Sequence, residues 1–276
     1  MGFRVNTNVS SIAAQRTLST VNRESEENLS KLASGERITK AADDAAGLAI
    51  SEKLKAHIRS SKQANRNAND AVSLVQVAEG ALNESSNILA RMKEVAIQAA
   101  TDTLSDTERG LTEHEYQTLK AELNRIAQVT QFNGKRLLNG TPLGLDFQVG
   151  VGEDSADDRI SMNTANFNAT ADALGVGSLS VRSKAQAQAS IDPITRAFDR
   201  LSQQRSLLGS IQNRLQVSSA NLEIYSQNMS ESNSRIRDLD YADEASKLAR
   251  NKVISQASTA VAAQANSVGS VALKLL

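Results

Sequence analysis

The chain has 276 residues, and 31 Lys plus Arg against 31 Asp plus Glu leave a formal net charge of zero. A balanced surface lacks the basic excess that nucleic acid or an anionic membrane selects. The absence of Cys excludes a disulfide framework, a thiolate nucleophile and a thiolate zinc site. Aromatic residues are 3% of the chain with no Trp, so Ala, Leu, Val and Ile must supply the buried area that rings usually provide. Such side chains suit closely packed long helices.

The start, MGFRVNTNVSS, lacks the apolar core of a secretory leader, and no stretch approaches the ~20 apolar residues of a membrane span. A weak helical pattern follows through Val5, Val9, Ile12, Leu18, Val21, Leu29 and Leu32. The dominant signal begins at Ile50. Steps of four and three reach Leu54, His57, Ser61, Ala64, Ala68, Ala71, Val75, Ala78, Leu82, Ser85, Leu89, Met92, Ala96 and Ala99. That seam of about seven heptads predicts a helix roughly 75 Å long, which needs partners. One starts near Ser105, with Glu108 placed to complete a capping box, and carries Thr112, Tyr116, Leu119, Leu123, Ile126 and Thr130. Residues 132–181 change character. They are glycine-rich and contain Pro142; LDFQVGV (145–151) and RISMN (159–163) read as strands of a small β-hairpin region. The other partner of the long helix follows as Ala197, Leu201, Gln204, Leu208, Ile211, Leu215, Ser218, Leu222, Tyr225, Met229, Ser232, Ile236 and Leu239, with Pro193 near its start.

The last helix has a sharp stripe at Ile254, Ala257, Val261, Gln264, Val268, Val271 and Leu275, and residues 253–273 carry no charge. A solvated helix normally charges its polar face; this one suits a position surrounded by other protein. Burying the stripe contributes ~10 kcal/mol at ~2 kcal/mol per sizeable residue. Ordering roughly 40 terminal residues costs ~1–2 kcal/mol each. The ends therefore need partners from the other terminus and from other subunits, so they are predicted to be disordered in the monomer and helical in an assembly.

No chemistry is legible. His114-Glu115 opens a zinc-like helix motif, but Thr118 stands where the second His belongs. Glu153, Asp154, Asp157 and Asp158 lack EF-hand spacing, and Gly150-Val151-Gly152 lacks the third Gly and helix of a nucleotide loop. No cofactor, metal or catalytic residue is expected, and the chain reads as a non-enzyme.

Several extended motifs carry a resemblance. VNTNVSSIAAQRTL, LSKLASGERITKAADDAAGLAISEKL, NRNANDAVSLVQVAEGALNE, RMKEVAIQAATDT and TQFNG resemble the N-terminal part of bacterial flagellin. RSLLGSIQNRL, NLEIYSQNMSESNSRIRDLDYADEASKL and ISQASTAVAAQANSVGSVALKLL resemble its C-terminal part. The resemblance implies a mainly α fold. Residues 1–43 and 236–276 would pair as an inner-tube coiled coil, with Ile254, Ala257, Val261, Gln264, Val268, Val271, Leu275, Val5, Val9 and Ile12 in subunit packing. Residues 44–235 would form a helical rod with a β-hairpin region at about 132–181 and a core of Leu54, Val75, Leu82, Leu89, Leu119, Leu123, Ile126, Leu201, Leu208, Leu215 and Leu222. With only about 50 residues between the helical blocks, it would be a minimal form without large outer domains.

The function implied is a subunit polymerising into the flagellar filament for swimming. It would be secreted through type III export with an export chaperone and would meet cap and hook–filament junction proteins. Arg91 and Glu115 stand where flagellins recognised by toll-like receptor five carry an Arg and a Glu, although Ala90 and Val95 replace the Gln and Leu of that pattern. Neither nucleic acid nor membrane insertion is implied. The alternatives are a flagellin-like hook–filament junction protein, which would carry Pro after the paired Asp where this chain has Ala45, and an intracellular helical adaptor.

Overall fold

The computed structural model describes residues 7–274, with side chains up to residue 267. Its helices are α1 (Val9–Ser34), α2 (Ala45–Ala99), α3 (Asp106–Val129), α4 (Ala171–Leu174), α5 (Lys184–Arg237) and α6 (Tyr241–Lys274). Two small antiparallel hairpins pair β1 (Gln131–Phe132) with β2 (Lys135–Arg136) and β3 (Gly144–Gln148) with β4 (Arg159–Asn163). The fold is mainly α. None of the described helices is long and apolar enough to cross a membrane.

Local chemistry sets the helix ends. Asn8 caps α1 by accepting from the Ser11 amide, and Gly35 closes it in the left-handed region, its amide reaching Lys31 O at 2.8 Å. The two acids of DDAAG divide the next junction. Asp43 Oδ2 accepts from the Lys40 and Thr39 amides at 3.0 Å each, and these bonds hold its carboxyl below the usual range. Asp44 Oδ1 accepts from the Gly47 amide at 2.8 Å and caps α2. A Cβ on Gly47 would stand 2.9 Å from Ile38 Cδ1 and against the Asp44 carboxylate, so only glycine lets this cap sit so close. At α3 the capping box read at Ser105 and Glu108 forms in both directions. Arg109, 7% exposed, bonds Ala99 O at 3.1 Å and Thr101 O at 2.7 Å, which satisfies carbonyls left open at the end of α2.

Packing divides the chain into two units: residues up to Ile58 with those from Gln227 onward, and Arg59–Ser226 between them. The resemblance implies joins at 43/44 and 235/236, close to helix ends. Packing instead changes partway along α2 and α5.

In the Arg59–Ser226 unit the α2 seam is buried at every step from Ser61 to Ala99, and Leu74 and Val95 join it. Of the α2 residues expected in the rod core, Val75, Leu82 and Leu89 are fully enclosed; Leu54 belongs to the other unit and is half-buried. On α3, Leu123 is enclosed, while Leu119 and Ile126 are half-buried. On α5, Leu201, Leu208, Leu215 and Leu222 are buried. The polar positions are accommodated by bonding: Ser61 Oγ donates to Leu222 O at 3.0 Å and Ser85 Oγ to Ala81 O at 3.0 Å.

Two expectations need correction. Pro193 lies inside α5, which begins at Lys184. The turns before it are held by Ala187 and Ser190, both fully buried, and this packing offsets the hydrogen bond that proline removes. The strand expected over 145–151 ends at Gln148, because the Val149 and Gly150 amides both turn to Asp158 O, at 2.9 and 3.0 Å. The tight β1–β2 turn uses Asn133 (φ 47°) and Gly134 (φ 76°), the two left-handed residues that a two-residue hairpin loop requires.

Candidate assembly surface

The terminal unit is built on α1 and α6. Asn8 Nδ2 donates to Ala265 O at 2.8 Å, Ser11 Oγ to Asn266 Oδ1 at 2.7 Å, Ser255 Oγ to Asn22 Oδ1 at 3.2 Å, and Tyr241 Oη to Leu32 O at 2.8 Å. These bonds make the pair antiparallel. The face of α6 turned inward is Glu244, Leu248, Asn251, Ser255, Ser258, Ala262 and Ala265, all buried or half-buried at steps of four and three. It meets Ser11, Ala14, Leu18, Val21, Ser25, Asn28 and Leu32 of α1, equally regular. This is a coiled-coil seam in spacing, but largely polar or small in content.

The apolar stripe of α6 points elsewhere. Val253 is 65% exposed, Val261 58% and Ile254 37%; Ala257 and Gln264 are also exposed. Val253, Ile254, Ala257 and Val261 line an open groove of about 280 Å³ with Ala14 and Thr17 of α1. Val9 and Ile12 are likewise exposed, at 65% and 52%. Val5 and Leu275 lie outside the described residues, as do the side chains of Val268 and Val271. Of the residues assigned to subunit packing, those described therefore face solvent in the single chain.

The links at the base of the pair are clasped together. Glu36 and Asp238 form a β-bridge, Arg37 N donates to Arg237 O at 2.7 Å, and Leu239 N donates to Gly35 O at 3.0 Å. Arg237 Nε lies 2.9 Å from Glu36 Oε1, its Nη1 pairs with Glu52, and Lys55 Nζ is 3.4 Å from Glu36. The Arg237 guanidinium, paired at 2.9 Å, holds the Glu36 carboxyl below its ordinary 4.5; partial burial opposes it, and the charge of Lys55 reinforces it. Because the folded value is the lower one, the contribution of this carboxylate is present above 4.5 and is lost as pH falls through the folded value. Urea midpoints of the assembled protein at about pH 7 and about pH 3 should therefore lie closer together in Arg237→Ala than in the parent. An equal acid loss in both would remove the clasp from the pH dependence.

In the other unit Arg91 and Glu115 meet at the surface. Arg91 Nη2 lies 2.7 Å from Glu115 Oε1, and its Nη1 lies 2.9 Å from Glu94 Oε2. The sequence reading found both residues but not Glu94 between them. It also missed Asn22, Asn28, Glu244 and Asn251 of the inner seam, together with Glu36 and Arg237. A search for polar as well as apolar residues at heptad spacing would have found the seam.

Residues 5–142 match the bacterial flagellin N-terminal helical region and residues 191–276 match the bacterial flagellin C-terminal helical region. The chain belongs to the bacterial flagellin family. It is 38% identical to a flagellin of Halalkalibacterium halodurans over 99% of each chain. It is also 38% identical to the flagellar filament core protein flaB2 of Brachyspira hyodysenteriae, again over 99% of each. The flagellin of Bacillus subtilis is 36% identical over 99% of this chain and 100% of its own. Among solved structures, the Bacillus cereus flagellin crystal structure matches with a TM-score of 0.50 at 31% identity, covering 57% of this chain and 88% of that one. A putative flagellar hook-associated protein of Vibrio parahaemolyticus shares the fold, with a TM-score of 0.57 at 15% identity, over 71% of this chain and 100% of its own. This flagellin is a filament subunit of the flagellum, from a family of structural proteins, and it self-assembles.

Proposed function

We propose that this flagellin polymerises through residues 1–43 and 236–276 and works outside the cell as a propeller subunit with no catalytic activity. The observation that supports this is the facing of α6. A helix that leaves its apolar stripe in water while burying Ser, Asn and Glu against its neighbour is incomplete as a single chain. Stacking copies bury Ile254, Ala257, Val261, Val9 and Ile12, with the stripe continuing through Gln264, Val268, Val271 and Leu275. The Arg59–Ser226 unit forms the rod around Val75, Leu82, Leu89, Leu119, Leu123, Ile126, Leu201, Leu208, Leu215 and Leu222.

The same terminal helices stay unfolded in the dilute chain, pass through a type III export channel and order only on polymerisation. An export chaperone binds the C-terminal helix region inside the cell, and cap and hook–filament junction proteins meet the chain outside it. The exposed Arg91–Glu115 pair gives toll-like receptor five of a host a charged contact on the rod. Electron microscopy after seeding or salting out tests the assembly: the full chain should give long filaments, and a chain lacking 1–43 and 236–276 should give none. Tubes built from the trimmed chain would overturn the proposal.

A further inference from the structure

The hydrophobic effect by itself would place α6 differently. Successive residues turn by about 100° around a helix, so rotating α6 by one residue, about 100°, would lay Ile254, Ala257 and Val261 on α1 and send Ser255 and Ser258 outward. That facing buries more apolar surface within one chain, yet the chain does not adopt it. The opposing contacts are polar, and they are concentrated where α6 begins. Glu244 is 5% exposed. With the Asn28 amide oriented so that Nδ2 is the donor, it reaches Glu244 Oε1 at 2.7 Å, and Lys247 Nζ stands 3.2 Å from Glu244 Oε2. Further along, Asn22 and Ser255 add their own bond. The rotated helix would break these contacts and turn Asp243, Lys247 and Arg250 toward the half-buried Ser25 and Asn28, where a charge finds few partners.

We propose that the Asn28–Glu244 contact selects which face of α6 meets α1, and so keeps the apolar stripe turned outward for another copy. This rests on the reading above that the stripe is a subunit contact. Buried polar pairs that fix one helix arrangement among several are an attested device in coiled coils, at a cost in stability. Here the selected arrangement is a rotation rather than an oligomer number. A subunit whose stripe turned inward would satisfy itself and leave the assembly.

Two full-length variants of identical composition test the selection. Asn28→Leu with Glu244→Leu and Lys247→Ala puts a leucine on the inner face. Asn28→Leu with Glu244→Ala and Lys247→Leu puts it on the rotated face. The bonds of Asn22 to Ser255 and of Ser11 to Asn266 share one antiparallel register, which sets Leu18 opposite residues 258–259. With no native Cys, Leu18→Cys paired with Ser258→Cys reports the inner facing, and Leu18→Cys with Ala257→Cys reports the rotated one. The first variant should sediment after seeding and cross-link through 258 over 257 by roughly tenfold. The second should stay in the supernatant and cross-link through 257 by a similar factor.

If both variants cross-link through the same position, or if the second shows no preference, the selection is overturned. If the second cross-links through 257 and still sediments, the selection stands, and the reading of the stripe as a subunit contact falls instead.

Discussion

Val261→Asp stops polymerisation at concentrations where the parent chain forms filaments. Val261 is 58% exposed in the single chain and sits on the rim of the apolar groove with Ile254 and Ala257. A carboxylate there is well solvated before assembly, so the change costs the isolated chain almost nothing. Covered by another copy, the same carboxylate must shed its water with no cation among the groove residues, a penalty of several kcal/mol. Each 1.4 kcal/mol is tenfold in the equilibrium, so the concentration needed for polymer should rise by more than about a hundredfold. Sedimentation after seeding reads the shift, with circular dichroism confirming unchanged helix content. Normal filaments from this variant would remove the stripe from the subunit interface.

Leu208→Ala tests the other unit and should leave the assembly surface intact. Leu208 is 0% exposed within the apolar cluster that α2, α3 and α5 share. Truncating a leucine so enclosed removes its transfer energy and leaves a cavity, together about 3 kcal/mol. For a unit of this size that lowers the melting temperature by roughly 6–12 °C. Leu111→Ala is the control: at 72% exposure it should change stability by less than ~0.5 kcal/mol. The contrast between the two variants, read in urea denaturation, checks that the seam rather than leucine content holds the unit together. Equal effects would refute that.

Heptad reading was most informative where one helix buries one face along its whole length. From Ser61 to Ala99 the burial of α2 follows the four-three pattern, including the serines. It lost force at Ile50, which is 52% exposed although it lies on the same register. Periodicity locates a face, but it does not say where along the helix a partner is present. Pro193 misled because proline statistics describe isolated helix starts, and the packing of Ala187 and Ser190 outweighs them here. The inner seam of α6 escaped because a search for hydrophobic period finds the more apolar of two heptad stripes. In this helix the apolar stripe is the one left in water. The Glu36–Arg237 clasp had no local signature at all, since its partners come from opposite ends of the chain and only tertiary folding brings them together.

That clasp has a consequence for how the protein can vary. Because the Glu36 and Arg237 neighbourhoods are bonded to each other, the chain between them is an excursion that leaves and returns at a single point. Lengthening, shortening or replacing part of that excursion leaves its anchored ends where they were. The geometry of the terminal helices is thereby insulated from the middle of the sequence, so the middle is free to diversify while the part that must fit identical neighbours stays fixed.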